Sequence, residues 1–322
     1  MMRIVSLFSG AGGLDLGLVR AGHTIVWAND IFLEAAETYA ANIGPHIDTR
    51  DIGLIGADEI PDCDVVVGGF PCQGFSVANW GRHSLDPRNQ LYREMVRIIA
   101  AKKPKFFVGE NVKGLVSMAK GEALKRIVSD FEELGYSVRY AVVNAADYGV
   151  PQARMRVLIF GVRNDISWTG PFPPPPTHTK PQMALTLGLR PWFSVGEALA
   201  HLPEPDKGRH IPNHECSKYK LRFNGHLGHR EIDPTKPAPT VTSRGDDRGG
   251  VVVLHHPNNH RRMTARELAA VQSFPDDFVF VGAKTSAYRQ VSNAVPPLLG
   301  EAIGKMLLHA NEELPRELVT QK

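Results

Sequence analysis

Cysteine is scarce in this chain: Cys63, Cys72 and Cys216 are three in number and widely spaced. An odd, scattered set excludes a disulfide framework and points to a reducing, cytoplasmic setting. No apolar stretch approaches the roughly 20 residues that span a bilayer. The N-terminus enters a strand-like run at once, Arg3 to Phe8, so no signal or transit segment is expected. Internal repeats are lacking too. Histidine and cysteine cluster once, at His210, His214 and Cys216, with no second pair of matching spacing, so no metal is expected.

What is present is ordinary for an enzyme of 322 residues, with 43% hydrophobic and 22% charged side chains. That length allows one large domain and a smaller one. Net charge is only +3, but it is unevenly spread. Residues 1–160 carry 17 Lys and Arg against 18 Asp and Glu, whereas residues 207–262 carry 11 against 5, with seven histidines. A basic segment in a neutral chain suits contact with phosphates, or is a solvated basic face.

Strand-like and helical patterns alternate through the first half. Ile4–Phe8 precedes helical Gly13–Ala21, Thr24–Ala28 precedes Leu33–Asn42, and Val65–Val67 precedes Arg88–Lys102. Lys105–Gly109, Glu122–Leu134, Val138–Val143 and Arg156–Val162 complete the set. Such alternation predicts a parallel, doubly wound α/β sheet. Four consecutive prolines, Pro173 to Pro176, suit a stiff connection between lobes. Residues 177–260 read as an irregular second lobe. Helical character returns at Thr264–Gln272 and at Pro297–Ala310, the latter packing back on the first lobe. The division expected is residues 1–170 with about 283–322 in one domain, and about 171–282 in a smaller one.

Glycines follow the first strand at Phe8-Ser9-Gly10-Ala11-Gly12-Gly13 and open a helix. They let a ligand approach the backbone at a helix N-terminus. The dinucleotide fingerprint fails, because its third glycine is Asp15. Asp30 ends the second strand, where an acid can accept from ribose hydroxyls. Asp51-Ile52 ends the expected third strand, in reach of an adenine. Either aspartate serves equally as a helix or turn cap. S-adenosyl-L-methionine, with ribose and adenine but no diphosphate, fits a loop lacking the full fingerprint.

Cys72 lies in Gly68-Gly69-Phe70-Pro71-Cys72-Gln73-Gly74-Phe75-Ser76, a glycine-flanked turn after a buried strand. Open α/β sheets place reactive groups there. The residue is a nucleophile or a buried structural thiol, and Pro71 with its flanking glycines favours an exposed turn.

The order of motifs then becomes specific. Phe8–Gly13, Asp30, Asp51-Ile52, Gly69–Ser76, Glu110-Asn111-Val112, Gln152–Arg156, Arg266–Phe274 and Gln290–Pro296 together resemble the cytosine-5 DNA methyltransferase family of bacterial restriction-modification systems. The resemblance implies a doubly wound, Rossmann-like class I methyltransferase sheet and a second, smaller, irregular target-recognition domain. It implies a catalytic set of Cys72 as nucleophile at carbon 6 of cytosine, Glu110 at ring N3, Arg156 at O2, and Arg154 in support. Cofactor contacts are implied at Phe8, Gly10, Gly12, Gly13, Asp30, Ile31, Asp51, Ile52, Pro71, Leu91 and Asn293, for S-adenosyl-L-methionine and its product S-adenosyl-L-homocysteine. Two positions depart from the pattern. Ser292 stands where the family usually has glycine, and Ile31 where some relatives place an aromatic.

The implied substrate is double-stranded DNA, with the target nucleotide rotated out of the helix. Residues 177–260 match the recognition region in position, and Ser76, Arg82, Arg209, Arg222, Arg230, Thr240, Arg244 and Arg248 are candidate DNA contacts. Residues 74–90 would close over the base. A monomer acting in the cytoplasm is expected, without a membrane, either solitary or with a separately encoded restriction endonuclease. The competing readings are a tRNA cytosine-5 methyltransferase, a catalytically idle DNA-binding regulator, and a nicotinamide oxidoreductase. Phe70, where tRNA-methylating relatives have proline, and the intact Cys72, Glu110 and Arg156 weigh against the first two; Asp15 weighs against the third.

Overall fold

The computed structural model describes residues 1–70, 87–205, 210–216, 231–243, 251–258 and 260–312. The first half runs β1 (Arg3–Leu7), α1 (Gly13–Arg20), β2 (Thr24–Asn29), α2 (Leu33–Asn42), β3 (Ile47–Asp48), β4 (Val65–Gly68) and α3 (Pro87–Lys102). It continues with β5 (Phe106–Val112), α4 (Glu122–Glu132), β6 (Tyr136–Asn144) and β7 (Met155–Arg163). These seven strands form one sheet in the order β3-β2-β1-β4-β5-β7-β6. The chain winds outward from β1 to β3, then returns to β4 on the other side of β1. That reversal opens a crevice beyond the C-terminal ends of β1 and β4, where doubly wound sheets bind ligands.

The expected parallel sheet needs correction at one strand. β7 runs antiparallel to both β5 and β6. The link between Asn144 and Met155 is shorter than the dozen or so residues of a helical crossover. The chain therefore turns straight back, and β7 enters between β5 and β6. Its pairing extends β5 to Val112, so Glu110 stands within the strand rather than after it.

Period-two alternation divides the apolar side chains between the two faces. Val65 and Val67 join Leu14, Leu18, Leu299 and Ile303 in one cluster. Val66 points the other way, among Met95, Ile98, Ile127 and Phe131. Each such side chain contributes roughly 1.5–3 kcal/mol on burial.

The second half adds β8 (His178–Thr179), α5 (Pro181–Leu187), β9 (Arg190–Pro191), α6 (Val195–Leu199), β10 (Thr242–Ser243) and β11 (Val251–Val252). Helices α7 (Ala265–Val271), α8 (Lys284–Asn293) and α9 (Pro297–Glu312) follow. Ser194 with Glu197, and Thr264 with Glu267, form reciprocal caps that start α6 and α7. Leu199, Leu268, Phe278, Tyr288 and Val291 share a third cluster. The α8 helix went unrecognised in the sequence because Ser286, Gln290 and Ser292 share its buried face with apolar residues. Its Ser292 is helical and returns its hydroxyl to Arg289 O at 2.9 Å, so glycine is not demanded there.

As expected, α9 packs on the first half, against α1. A Cβ on Gly17 would lie 2.3 Å from Pro297 O, and one on Gly300 would lie 2.6 Å from Leu14 O. The two helices meet backbone to backbone. Among the described residues, no helix is long and apolar enough to cross a membrane. His214 is bound on both sides, by Thr264 Oγ1 at 2.9 Å and Pro203 O at 2.7 Å. A carbonyl only accepts, so Nε2 donates to Pro203 O.

Candidate active site

A cavity of about 550 Å³ occupies the crevice. The turn after β1 forms one wall. Phe8 takes a left-handed backbone (φ 56°), and the Ser9 N–H donates to Asn29 O at 3.0 Å. The Gly10 N–H donates to Asp30 Oδ2 at 2.7 Å, and the Phe32 N–H to Asp30 Oδ1 at 2.9 Å. Asp30 thus fastens the glycine turn to the end of β2. Burial raises its pKa, against the pull of these two amides and of the Arg289 charge. Ile31 is 64% exposed at the rim, and the Arg289 guanidinium lies 4.4 Å over the Phe32 ring.

The cavity lining takes in some of the other expected cofactor residues and not the rest. Asn293 lines the cavity, but Gly12, Gly13, Asp51, Ile52 and Leu91 do not. Gly13 is required by packing, since a Cβ there would meet Val295 O at 2.2 Å. Asp51 does not end the third strand, which stops at Asp48. Its carboxylate accepts from the Gly53 N–H at 2.9 Å and caps the turn Ile52–Leu54. Ile52 is buried in the second cluster, and Leu91 packs against it.

The opposite wall rises from β4, β5 and β7. Gly68 pairs with Gly109, so the chain leaving β4 passes beside Glu110. Asn111 Nδ2 donates to Phe70 O at 2.8 Å, fixing the carbonyl that precedes Pro71 and Cys72. The sequence marks Asn111 only as part of the Glu110-Asn111-Val112 motif. Its role as a tie depends on two adjacent strands and is invisible in spacing. Pro71, Cys72, Ser76 and Arg82 lie outside the described residues, as do Arg209, Arg222, Arg230, Arg244 and Arg248.

Antiparallel pairing places Arg156 opposite Val112, two residues beyond Glu110 on the same face. Diagonal neighbours of this kind come within reach of long side chains. Arg156 Nε approaches Glu110 Oε1 at 2.8 Å, with both residues buried. The approach is off the hydrogen-bonding direction, so Oε1 has no aligned donor. The carboxyl is held electrostatically and keeps bonding capacity for a ligand.

Arg154, two residues along on the same face, is 2% exposed and donates to Val241 O, Ser292 O and Ala294 O at 2.8, 3.3 and 3.0 Å. Burial, then the neighbouring Arg156 charge, pushes its pKa down to about 9, so it stays cationic at neutral pH. Arg154 braces the sheet against the second half of the chain. Thr240 Oγ1 donates to Ala153 O at 2.7 Å beside it. Replacing Arg154 by Met strands those carbonyls, and a loss on the order of 3 kcal/mol is expected. Urea titration should show a lower midpoint at unchanged slope.

A doubly wound sheet with a glycine turn after β1 and a buried glutamate–arginine pair across the crevice has the architecture of a Rossmann-like methyltransferase. The family model for C-5 cytosine-specific DNA methylases matches residues 2–309, and the chain belongs to that family. It is 40% identical to Type II methyltransferase M.NgoFVII of Neisseria gonorrhoeae, over 99% of this chain and 91% of that protein. Identity to M1.HphI of Haemophilus parahaemolyticus is 38%, over 95% and 87%. Among solved structures, a prophage-encoded E. coli protein described as a DNA modification methyltransferase superposes with a TM-score of 0.76 at 26% identity, covering 97% of this chain and all of that one. The protein is therefore a methyltransferase of cytosine carbon 5, with DNA as substrate.

Proposed function

We propose that the cavity binds S-adenosyl-L-methionine and that Cys72 drives methylation by covalent addition. The residues present suit this donor. The glycine turn leaves room beside Gly10, where an added Cβ would meet only Asp30 Oδ2, at 4.0 Å. Asp30 keeps acceptor capacity for ribose hydroxyls, Ile31 and Phe32 offer apolar surface, and Asn293 lines the far side. When bound, the donor supplies an electrophilic methyl group.

The protein's own task is to make a ring carbon nucleophilic. The Cys72 thiolate forms a bond to carbon 6 of cytosine and pushes the ring electron pair toward carbon 5. Glu110 holds a proton at N3, and Arg156 meets O2, so developing charge is spread. Once carbon 5 is methylated, its proton leaves to water, the double bond re-forms and Cys72 is expelled. The observation that carries this reading is the buried Glu110–Arg156 pair beside the root of the cysteine loop.

Duplex DNA must present the base rotated out of the stack. Residues about 171–282 would form the recognition domain for one short sequence, and residues 1–170 with about 283–322 the catalytic domain. The activity is DNA (cytosine-5-)-methyltransferase, carried by a cytoplasmic monomer that acts alone or beside a separately encoded restriction endonuclease. Bisulfite sequencing of DNA from a host expressing the protein tests this directly. Protected cytosines should fall within one short recurring sequence. Modified tRNA with unmodified DNA would overturn the reading.

A further inference from the structure

Asp15 is the acidic residue that displaces the third glycine of the nucleotide fingerprint, and none of the roles above uses it. It sits in the first turn of α1 at 0% exposure, in the floor of the cavity. Ser6 Oγ donates to its Oδ1 at 2.7 Å, and Ser9 Oγ donates to Ser6 Oγ at 2.9 Å. The Tyr39 hydroxyl stands beside the carboxylate and also contacts His46 Nε2 at 3.1 Å. Asp15 Oδ2 is left with no hydrogen-bond donor among the described residues.

The other charged groups of the cavity are engaged. Asp30 holds two backbone amides, Glu110 faces Arg156, Arg154 is spent on three carbonyls, and Arg289 stacks on Phe32. The β1 strand offers Asp15 only a serine hydroxyl, and α2 offers only Tyr39 with His46 behind it. A buried carboxylate without a counter-charge is costly and invites a cation or a proton. Burial indeed pushes Asp15 up to about 6, against the Ser6 and Tyr39 hydroxyls.

The donor proposed above carries a sulfonium and an ammonium against a single carboxylate, so its amino-acid end is net positive. We propose that Asp15 is a cofactor-binding residue, the carboxylate that receives this positive charge. The inference rests on the reading of the cavity as the S-adenosyl-L-methionine site. The ionised fraction of a group titrating near pH 6 rises about tenfold between pH 5 and 7. A cation favours the ionised form, so donor affinity should rise with pH across that window, and binding near pH 6 should release protons.

Isothermal titration calorimetry on the whole protein tests this, with S-adenosyl-L-methionine and with 5′-methylthioadenosine, which keeps the nucleoside but carries neither cation. In the intact protein, donor affinity should strengthen about tenfold from pH 5 to 7, and two buffers of different ionisation enthalpy should reveal proton release. Asp15→Asn keeps the Ser6 contact. It should weaken donor binding at pH 7 about tenfold, abolish the pH dependence, and leave 5′-methylthioadenosine affinity unchanged. His46→Gln should retain the pH dependence.

Equal losses for both ligands in Asp15→Asn, or a flat pH profile in the intact protein, would overturn the role of Asp15 while leaving the donor site in place. Failure of the intact protein to bind the donor at all would overturn the donor reading, and this inference with it. The pH and proton-release measurements need no variant, so they decide the matter even if Asp15→Asn fails to fold.

Discussion

Duplex DNA carrying 5-fluorocytosine at the target position is expected to be held covalently by the intact protein when S-adenosyl-L-methionine is present, and not at all by Cys72→Ala. Release of the enzyme requires the substituent on carbon 5 to depart as a proton. Fluorine cannot depart as a cation, so the chain from Cys72 to carbon 6 stays closed after methyl transfer. The adduct should survive denaturation and appear as a retarded band in SDS electrophoresis. Methylation of ordinary duplex by Cys72→Ala should fall on the order of 10⁴-fold or more, as when other enzymes lose their nucleophile. The remaining cysteines serve as controls. Cys63 precedes the N-terminal end of β4, away from the crevice, and burial pushes its thiol up to about 12. Cys216 offers its carbonyl to Lys284 Nζ. Alanine at either should leave the adduct intact. An undiminished adduct with Cys72→Ala, or none from intact protein that methylates the same site, would remove covalent addition from the mechanism.

Local features of this site were legible in the sequence, and features built across strands were not. The turn Phe8–Gly13 and Asp30 were readable because glycine chemistry and strand ends are properties of neighbouring residues. Asp51 was misplaced because β3 is only two residues long, too short for its end to be located by pattern. The Glu110–Arg156 contact joins residues far apart in the chain. It exists because β7 runs antiparallel to β5, whereas alternation suggested parallel strands throughout. Sequence reasoning reached both residues only through the family's motif order. Asp15 was visible as a missing glycine, yet the hydroxyl network and orphan oxygen that give it meaning come from β1 folding beside α1. Arg154 reads in sequence as a support for the covalent complex and the nearby backbone, without saying which part of the backbone. Its three carbonyl partners come from the second half of the chain, a pairing that only the folded structure reveals.

Glu110→Gln is expected to slow single-turnover methylation roughly 10²–10⁴-fold, the range typical of a lost general acid–base group. Donor affinity should stay within about twofold, because Glu110 pairs with Arg156 on the wall opposite the glycine turn. The substitution keeps size and leaves a polar amide facing Arg156. What it removes is the capacity to carry a proton to N3 as the thiolate adds. Two measurements separate this chemical role from a merely structural one. Arg156 would become a less well compensated buried cation, so stability should fall; urea titration measures that loss, and rates taken well below the midpoint are free of it. The 5-fluorocytosine adduct offers the second. If Glu110 assists addition itself, the adduct should form more slowly by the same factor as methylation. If Glu110 served only to anchor Arg156, Arg156→Lys and Glu110→Gln would slow the reaction alike. A Glu110→Gln protein that methylates within about threefold of the intact rate would take this glutamate out of the chemistry.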